Sequence, residues 1–498
     1  MVTLDGERLT IEAVVAVSRN GEPVELAEAA RTRMLHSRAV VERLAAAEAT
    51  VYAVNTGVGE LADVRIPLSD LQQLQRNVVR SHATGTGDDL DRATVRAMML
   101  IRANVLAGGF SGIRPVVAEL LCDLLNRGVT PLVPSRGSAG ASGDLAPLAH
   151  IALVLIGEGE AEYAGSRYSG TQALALAGIP PLTLEPKEGI SLVNGTQAML
   201  AIGCLELAAA ELLADTADLV CALTTDALRG TPRAFDVRLH ATRPHPGQRT
   251  SARNLWRLLE GSEIRASHAA CGHVQDAYSL RCAPQVHGAV RDTLAEARRI
   301  FAIELNSATD NPLVIGDEIV SGGNFHGQPL ALALDSMAVA MATLAGISER
   351  RIDRLVNPAL NEGLPPFLAG NPGLESGLMM VQVTAAALVA ENRVLATPAS
   401  ACSIPTSGGK EDFVSMGMTS ALKLGQAVRN TRTVLAIEAL TAARALDFRH
   451  PLRSSLPLEA AREKIRAVSP ASVQDRPLYA EIRALESLIA QGGLGLNA

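Results

Sequence analysis

A run of small residues at positions 137–144, GSAGASGD, could generate a reactive group from its own backbone. Glycine at 143 leaves its amide nitrogen unhindered and lets the chain fold back tightly, so this nitrogen could attack the carbonyl carbon of Ala141 and close a five-membered ring. Loss of water from the ring and from the side chain of Ser142 would leave an exocyclic methylidene, an electrophile to which an amine could add. The ordinary alternative is that the short polar residues only cap a helix that starts near Leu145.

Polar residues elsewhere could complete a site for an α-amino acid. The guanidinium of Arg281 could bind a carboxylate in a bidentate fork while the substrate amine adds to the electrophile. A base would then remove a weakly acidic β-proton, and the phenol of Tyr52 could do so only if positive neighbours lower its pKa from about 10. The amide of Asn194 interrupts a strongly apolar stretch, where a polar group is costly unless it is partnered, so a functional and a structural role are equally open.

An imidazole and a carboxylate add to this inventory, and each has an ordinary explanation. His82 stands at the end of a predicted helix, where a lone histidine is more often a satisfied polar residue than a catalyst. Glu411 belongs to a polar loop, residues 403–412, between two long apolar segments. Tyr52 could likewise be a packed side chain in its glycine-rich loop.

Composition and charge exclude several classes of function. The 498 residues carry a net charge of −7 and no basic block, so a nucleic acid partner is not expected. The six cysteines show no CxxC spacing, which argues against a metal site or a disulfide framework and indicates reduced thiols in a cytoplasmic protein. The N-terminus lacks a signal-peptide pattern, and no apolar run reaches the roughly 18 charge-free residues that a membrane span requires, so no membrane partner is expected.

Short motifs narrow the chemistry further. The GxGxxG, Walker A, HExxH and GxSxG patterns are absent, which argues against dinucleotide, nucleotide, zinc-protease and esterase sites. Residues 407–410, SGGK, match the SxxK pair of penicillin-recognising enzymes, but the accompanying SDN and KTG elements are missing, and so short a match is expected by chance.

The elements that position these residues are predicted to be mostly helices. Hydrophobic residues make up 48% of the chain and aromatic residues only 3%, a composition that favours closely packed helices over sheets. Long apolar segments at about 284–306, 373–396 and 411–446 indicate a bundle or an oligomer. We therefore expect a mainly α fold, with a mixed N-terminal domain, 1–195, that carries the GSAGASGD run, and a long-helix bundle with a C-terminal helical region, 196–498.

Five ordered motifs resemble the aromatic amino acid lyase family, and within it the histidine ammonia-lyases most closely. They are GASGDL at 140–145, NGTQ at 194–197, QDAYSLR at 275–281, GNFH at 323–326 and SIPTS at 403–407. The likeness runs from about residue 5 to about residue 490. It implies a fumarase/aspartase-like architecture, a homotetramer whose active sites combine residues from three chains, and a small amino acid substrate.

By this resemblance, Ala141, Ser142 and Gly143 condense into 4-methylideneimidazol-5-one (MIO), a prosthetic group that the chain makes from itself, with no external cofactor and no metal. The resemblance also assigns roles to other residues. Tyr52 is the base, Asn194 and Tyr278 lie around MIO and the amine, Arg281 binds the carboxylate, and Phe325 forms a wall of the pocket. The remaining substrate-binding residues are His82, Gln275 and Glu411.

Substrate choice depends on a few positions near the pocket. His82 and Glu411 match residues that face the imidazole in histidine ammonia-lyases, so L-histidine, converted to trans-urocanate, is the expected substrate. The chain departs from that pattern at four positions, Ala53, Val58, Lys410 and Phe413, where Gly, Phe, Gln and His are customary.

Other activities therefore stay open. A histidine beside a glutamate can also hold a phenol hydroxyl, so a tyrosine ammonia-lyase or a tyrosine 2,3-aminomutase is possible, whereas His82 argues against a phenylalanine ammonia-lyase. A helical homologue without catalysis is a further alternative. A fumarase-type lyase is disfavoured because the sequence has no GSSxMPxKxN loop.

Overall fold

The computed structural model describes residues 1–46, 51–52, 54–57, 59–269, 274–472 and 474–496, and most of this part of the chain is helical. Ala and Leu, which are abundant in the sequence, favour helices intrinsically. The described helices are α1 Ile11–Asn20, α2 Glu28–Ala45, α3 Leu71–His82, α4 Arg92–Ala107, α5 Pro115–Arg127, α6 Leu145–Leu155, α7 Gly170–Ala177, α8 Glu188–Val193, α9 Gln197–Ala227, α10 Val237–Ala241, α11 Pro246–Leu259, α12 Glu263–Ala266, α13 Tyr278–Arg281, α14 Ala283–Glu304, α15 Gln328–Val356, α16 Met379–Leu395, α17 Gly417–Asp447, α18 Leu456–Val468 and α19 Tyr479–Ala490.

Short strands form four small sheets. Strand β1 pairs in parallel with β2, β3 pairs antiparallel with β5, β6 lies between β4 and β7, and β8 forms a hairpin with β9. The strands are β1 Val2–Leu4, β2 Val24–Leu26, β3 Thr86–Asp89, β4 Thr130–Pro131, β5 Pro134–Arg136, β6 Glu160–Tyr163, β7 Ser166–Ser169, β8 Leu313–Ile315 and β9 Glu318–Val320. The prediction of a mainly α fold is confirmed.

The chain forms two compact units. The first comprises residues 1–205, 298–335 and 398–422 and contains all the strands named above. The second comprises residues 206–297, 336–397 and 423–498, and its described part is built from helices and loops. The expected domain division between residues 195 and 196 stays a prediction.

A buried charged network joins four long helices within the second unit. Helix α9 contributes Asp218, α14 His287, α15 Arg351 and α17 Glu438, and all four side chains are fully buried. Arg351 donates to Glu438 at 2.5 and 2.8 Å and to Nε2 of His287 at 3.3 Å. Because Nε2 of His287 accepts this hydrogen bond, Nδ1 carries the ring proton and donates to Asp218 at 2.8 Å. Burial lowers the pKa of His287, so the imidazole is neutral. The predicted bundle of long helices is confirmed.

Replacing Arg351 by Met should cost about 3–5 kcal/mol of unfolding free energy, because it leaves the buried carboxylate of Glu438 without its counter-charge. Arg393 on α16 of the same unit is the control, since its side chain is exposed. We expect Arg393→Met to cost about 1 kcal/mol or less. Guanidinium denaturation of both variants measures the difference, and equal losses would contradict a special role for the buried network.

Among the described helices, α9 and α15 are long and apolar enough to cross a membrane if only length and composition are considered. Within the structure, 72% and 61% of their most apolar windows are buried. The packing of a protein core therefore accounts for their apolar character.

Candidate active site

The GSAGASGD run forms a tight loop that requires glycine at two positions. Gly140 and Gly143 have φ angles of 67° and 72°, in the left-handed region that favours glycine. A Cβ atom at Gly143 would lie 2.1 Å from the carbonyl oxygen of Gly195, and one at Gly140 would lie 2.2 Å from Oγ of Ser415. The loop is therefore held closely between Gly195 on one side and Ser415 on the other.

The carboxylate of Asp144 ties this loop to the start of α9. It is fully buried and accepts hydrogen bonds from the amides of Ala198 and Met199 at 2.9 Å and from the hydroxyl of Ser138 at 2.8 Å. Burial raises the pKa of Asp144 to about 6, against the opposing effect of these hydrogen bonds. Helix α6, which begins at Leu145, has no side-chain cap among the described residues, so the interpretation of the loop as a simple cap is wrong.

Ser142 lies where three segments meet. Its hydroxyl donates to Oε1 of Glu411 at 3.0 Å, and its carbonyl oxygen accepts from Nδ2 of Asn194 at 3.4 Å. The other carboxylate oxygen of Glu411 accepts from the hydroxyls of Thr406 and Ser407 at 2.5 and 2.7 Å. The structure thus brings Ser142, Asn194 and Glu411 together, although Glu411 follows Ser142 by 269 positions.

Asn194 offers a hydrogen-bond acceptor to a ligand. The residue is 4% exposed, and its Oδ1 has no hydrogen-bond partner within the part of the chain that the structure describes. A buried amide oxygen without a donor is costly, and an amine bound above the loop would supply that donor. Of the two roles that the sequence left open for Asn194, the geometry favours the functional one.

Tyr52 lies in a loop next to the segment that carries Glu411. Its phenol oxygen accepts a hydrogen bond from the amide of Gly59 at 3.4 Å. The following turn, Gly59–Leu61, lies against Ser407–Gly409, which directly precedes the Lys410-Glu411 pair. The replacements Ala53 and Val58 lie outside the described residues.

His82 and Phe325 each lie at or near the end of a helix. His82 is the last residue of α3, and its Nδ1 is 2.7 Å from the carbonyl oxygen of Val78, so Nε2 is the nitrogen that could meet a ligand. Phe325 is half-buried shortly before α15, and the ring of the adjacent His326 stacks on Phe413 with centroids 6.2 Å apart. Phe413, one of the departures from the family pattern, therefore contacts the segment that carries Phe325.

Gln275, Tyr278 and Arg281 form a cluster of their own in the second unit. Arg281 donates a hydrogen bond to the amide oxygen of Gln275, and its guanidinium carbon lies 4.6 Å from the ring centroid of Tyr278. Tyr278 is 71% exposed. The arrangement places a half-buried cation beside an exposed phenol, and a guanidinium is suited to bind a carboxylate.

Sequence reasoning missed a set of buried charges beneath Asn194. Arg102, Lys187 and Asp310 are at most 1% exposed, and Arg102 donates to the carbonyl oxygen of Asn194 at 2.8 Å. One signal was available, since Arg102 interrupts the apolar run of α4, where an unpaired charge is costly. No group of three or more His, Cys, Asp or Glu residues in the described ranges could hold a metal ion.

Comparison with known proteins gives a consistent result over the whole chain. Residues 9–467 match the family model for aromatic amino acid lyases. A histidine ammonia-lyase from Koribacter versatilis (strain Ellin345) is 58% identical over 509 residues, covering 99% of this chain and 99% of the relative. Among solved structures, a tyrosine aminomutase from Streptomyces globisporus matches with a TM-score of 0.94 and 40% identity, covering 99% and 97% of the two chains. A histidine ammonia-lyase from Trypanosoma cruzi matches with a TM-score of 0.91 and 40% identity, covering 99% and 94%.

Proposed function

Because the chain belongs to the aromatic amino acid lyase family and is a carbon–nitrogen lyase, we propose that it eliminates ammonia from L-histidine to give trans-urocanate in the cytoplasm. The observation that carries the proposal is the 58% identity, over the full length of both chains, with a protein named histidine ammonia-lyase. The meeting of Ser142, Asn194 and Glu411 supports it, because these residues match the family's motifs and lie together in the fold.

The prosthetic group of this site is MIO, formed from Ala141, Ser142 and Gly143. The residues fit that group, since Gly143 has no room for a side chain and the hydroxyl of Ser142 faces a carboxylate. The buried Oδ1 of Asn194, which lacks a donor among the described residues, also fits an amine held there. Once formed, MIO would supply an electrophilic methylidene to which an amine can add.

The remaining residues bind and orient the substrate. Asn194 accepts a hydrogen bond from the substrate amine, and Arg281 holds the carboxylate. Glu411 and His82 hold the imidazole, for which Glu411 is a hydrogen-bond acceptor. Tyr52 acts as the base that removes the β-proton.

The active enzyme is a homotetramer with shared active sites. The exposed cluster of Tyr278, Gln275 and Arg281 supports this arrangement, because a binding cluster at a surface can complete the site of another subunit. Exposed apolar residues on α16, such as Met380 and Val394, also favour association. Light scattering of the purified protein tests the assembly.

A second candidate function is a tyrosine 2,3-aminomutase, favoured by the TM-score of 0.94 with the enzyme from Streptomyces globisporus. The two functions differ in whether ammonia leaves. Purified protein is incubated separately with histidine, tyrosine and phenylalanine, and urocanate, coumarate, cinnamate and β-amino acids are resolved by chromatography. We expect urocanate from histidine, whereas formation of β-tyrosine without urocanate would favour the aminomutase.

Replacing Glu411 by Gln should lower kcat/KM for histidine by about 30- to 150-fold, the loss of about 2–3 kcal/mol expected for a charged hydrogen bond to the imidazole. Any turnover of tyrosine should fall far less. Asp412→Asn is the matched control, since it removes a charge from the adjacent, exposed position. Equal losses with both substrates would show that Glu411 does not recognise the imidazole.

A further inference from the structure

Arg102 is buried directly behind the segment that carries Asn194. One guanidinium nitrogen, Nη1, donates to the carbonyl oxygen of Asn194 at 2.8 Å and to Oε1 of Gln197 at 3.0 Å. The other, Nη2, donates to the carbonyl oxygen of Ser191. Through these three hydrogen bonds, the side chain of Arg102 on α4 connects the end of α8 to the start of α9.

Gly195 is packed between this guanidinium and the GSAGASGD loop. A Cβ atom at Gly195 would lie 2.6 Å from Nη1 of Arg102, so no side chain fits on that face. On the other face, the carbonyl oxygen of Gly195 would lie 2.1 Å from a Cβ atom at Gly143, and it accepts the amide of Asp144 at 2.6 Å. A displacement of the Gly195 backbone away from Arg102 would thus loosen its close contact with Gly143.

Arg102 belongs to a set of buried charges. Lys187 lies 3.5 Å from Asp310 and donates to Ser191 at 2.9 Å, and the charge of Asp310 also acts on Arg102, so two buried cations share one buried carboxylate. Burial lowers the pKa of Arg102 to about 10, although the charge of Asp310 opposes this effect, and the guanidinium stays protonated at neutral pH. An apolar side chain would fill the same space without the cost of burying a charge.

We propose that Arg102 is a positioning residue that fixes the Asn194–Gly195 backbone against Ala141–Ser142–Gly143. It thereby aligns the loop for ring closure and holds the amide of Asn194 over Ser142. This inference rests on the proposed function, because its consequence is the formation and use of MIO. Arg102 itself contacts neither the substrate nor the reacting atoms.

The test compares Arg102→Met and Arg102→Lys with Arg96→Met in the full-length protein. Arg96 is a matched control on the same helix, since it is 4% exposed and donates to two backbone carbonyls, those of Leu125 and Val17, at 3.0 Å. For each variant, the intact mass gives the fraction of chains that have lost two waters, about 36 Da. Steady-state kinetics give kcat and KM, and denaturation gives the stability.

We expect the mature fraction of Arg102→Met to fall at least about tenfold, and kcat per mature chain to fall about 100-fold with little change in KM, because a shift of about 1 Å misplaces the reacting groups. Arg102→Lys keeps the charge but has a single donor nitrogen, so it should recover most of the mature fraction and only part of the kcat. Arg96→Met should be destabilised to a similar extent but should mature fully.

Full maturation of Arg102→Met with a kcat close to that of the wild type would overturn the proposal, and so would equal maturation defects in Arg102→Met and Arg96→Met. If Arg102→Met does not fold, the measurements on Arg102→Lys test the proposal instead. A lower kcat at unchanged KM in that variant supports the proposal, and wild-type mass and kcat overturn it. A wild-type protein of unmodified mass would instead contradict the proposed prosthetic group, and with it this inference.

Discussion

Replacing Ser142 by Ala abolishes release of urocanate while the protein stays folded. The side chain of Ser142 is the sole source of the methylidene carbon in the proposed group, so alanine removes the electrophile. Loss of a covalent catalyst of this kind costs at least about 10³-fold in kcat. The measurement is urocanate absorbance together with the intact mass, which should show no dehydration of the side chain.

Ser138→Ala is the control within the same loop. Its hydroxyl donates to Asp144 at 2.8 Å, lies 3.3 Å from the carbonyl oxygen of Gly143 and accepts from the amide of Gly140 at 3.1 Å, but it contributes no atom to the ring. We expect this variant to lose two waters like the wild type and to be destabilised by about 1–3 kcal/mol, because its loss leaves buried polar groups without a partner. If Ser142→Ala kept more than a small fraction of the turnover, MIO would not be the catalyst.

Replacing Arg281 by Ala lowers kcat/KM for histidine by about 150- to 5,000-fold, because the substrate carboxylate loses a paired cation worth about 3–5 kcal/mol. Arg281→Lys keeps the charge without the planar fork and should lie between Arg281→Ala and the wild type. Initial rates over a range of histidine concentrations measure the effect, which should be much smaller for substrate analogues that lack the carboxylate.

Arg257→Ala is a suitable control for this variant, since Arg257 lies on the exposed side of α11 in the same unit. It should retain wild-type kinetics. A loss below about tenfold in Arg281→Ala would mean that another group binds the carboxylate.

The long helices could be predicted from the sequence because their apolar residues recur at helical spacing over many turns. Segments expected at 284–306 and 411–446 correspond to Ala283–Glu304 and Gly417–Asp447. Residues 160–188, by contrast, form two strands of a sheet and helix α7, for which the sequence shows no comparable pattern. Strands of four residues carry little periodic signal, and β6 is stabilised by pairing with β4, which its own sequence does not reveal.

The candidate site was predictable only in part. The residue types at 137–144 indicated the ring chemistry. The separation of Ser142 and Glu411 in the sequence, however, does not indicate their contact at 3.0 Å, and only the family resemblance suggested that these two residues belong to one site. Arg102 was missed because its partners are backbone carbonyl oxygens, which have no side-chain signature in a sequence. The roles assigned to individual site residues stay predictions until the variants are measured.

The charged residues shared by α9, α14, α15 and α17 in the second unit also restrict how this region can change in length. Deleting one residue from an α-helix turns everything beyond it by about 100° and shifts it by about 1.5 Å. Such a deletion next to Glu438 would point a charge into hydrocarbon and leave Arg351 without its carboxylate partner. Insertions and deletions can therefore be accommodated in the connecting loops, whereas the interiors of these four helices must keep a fixed residue count.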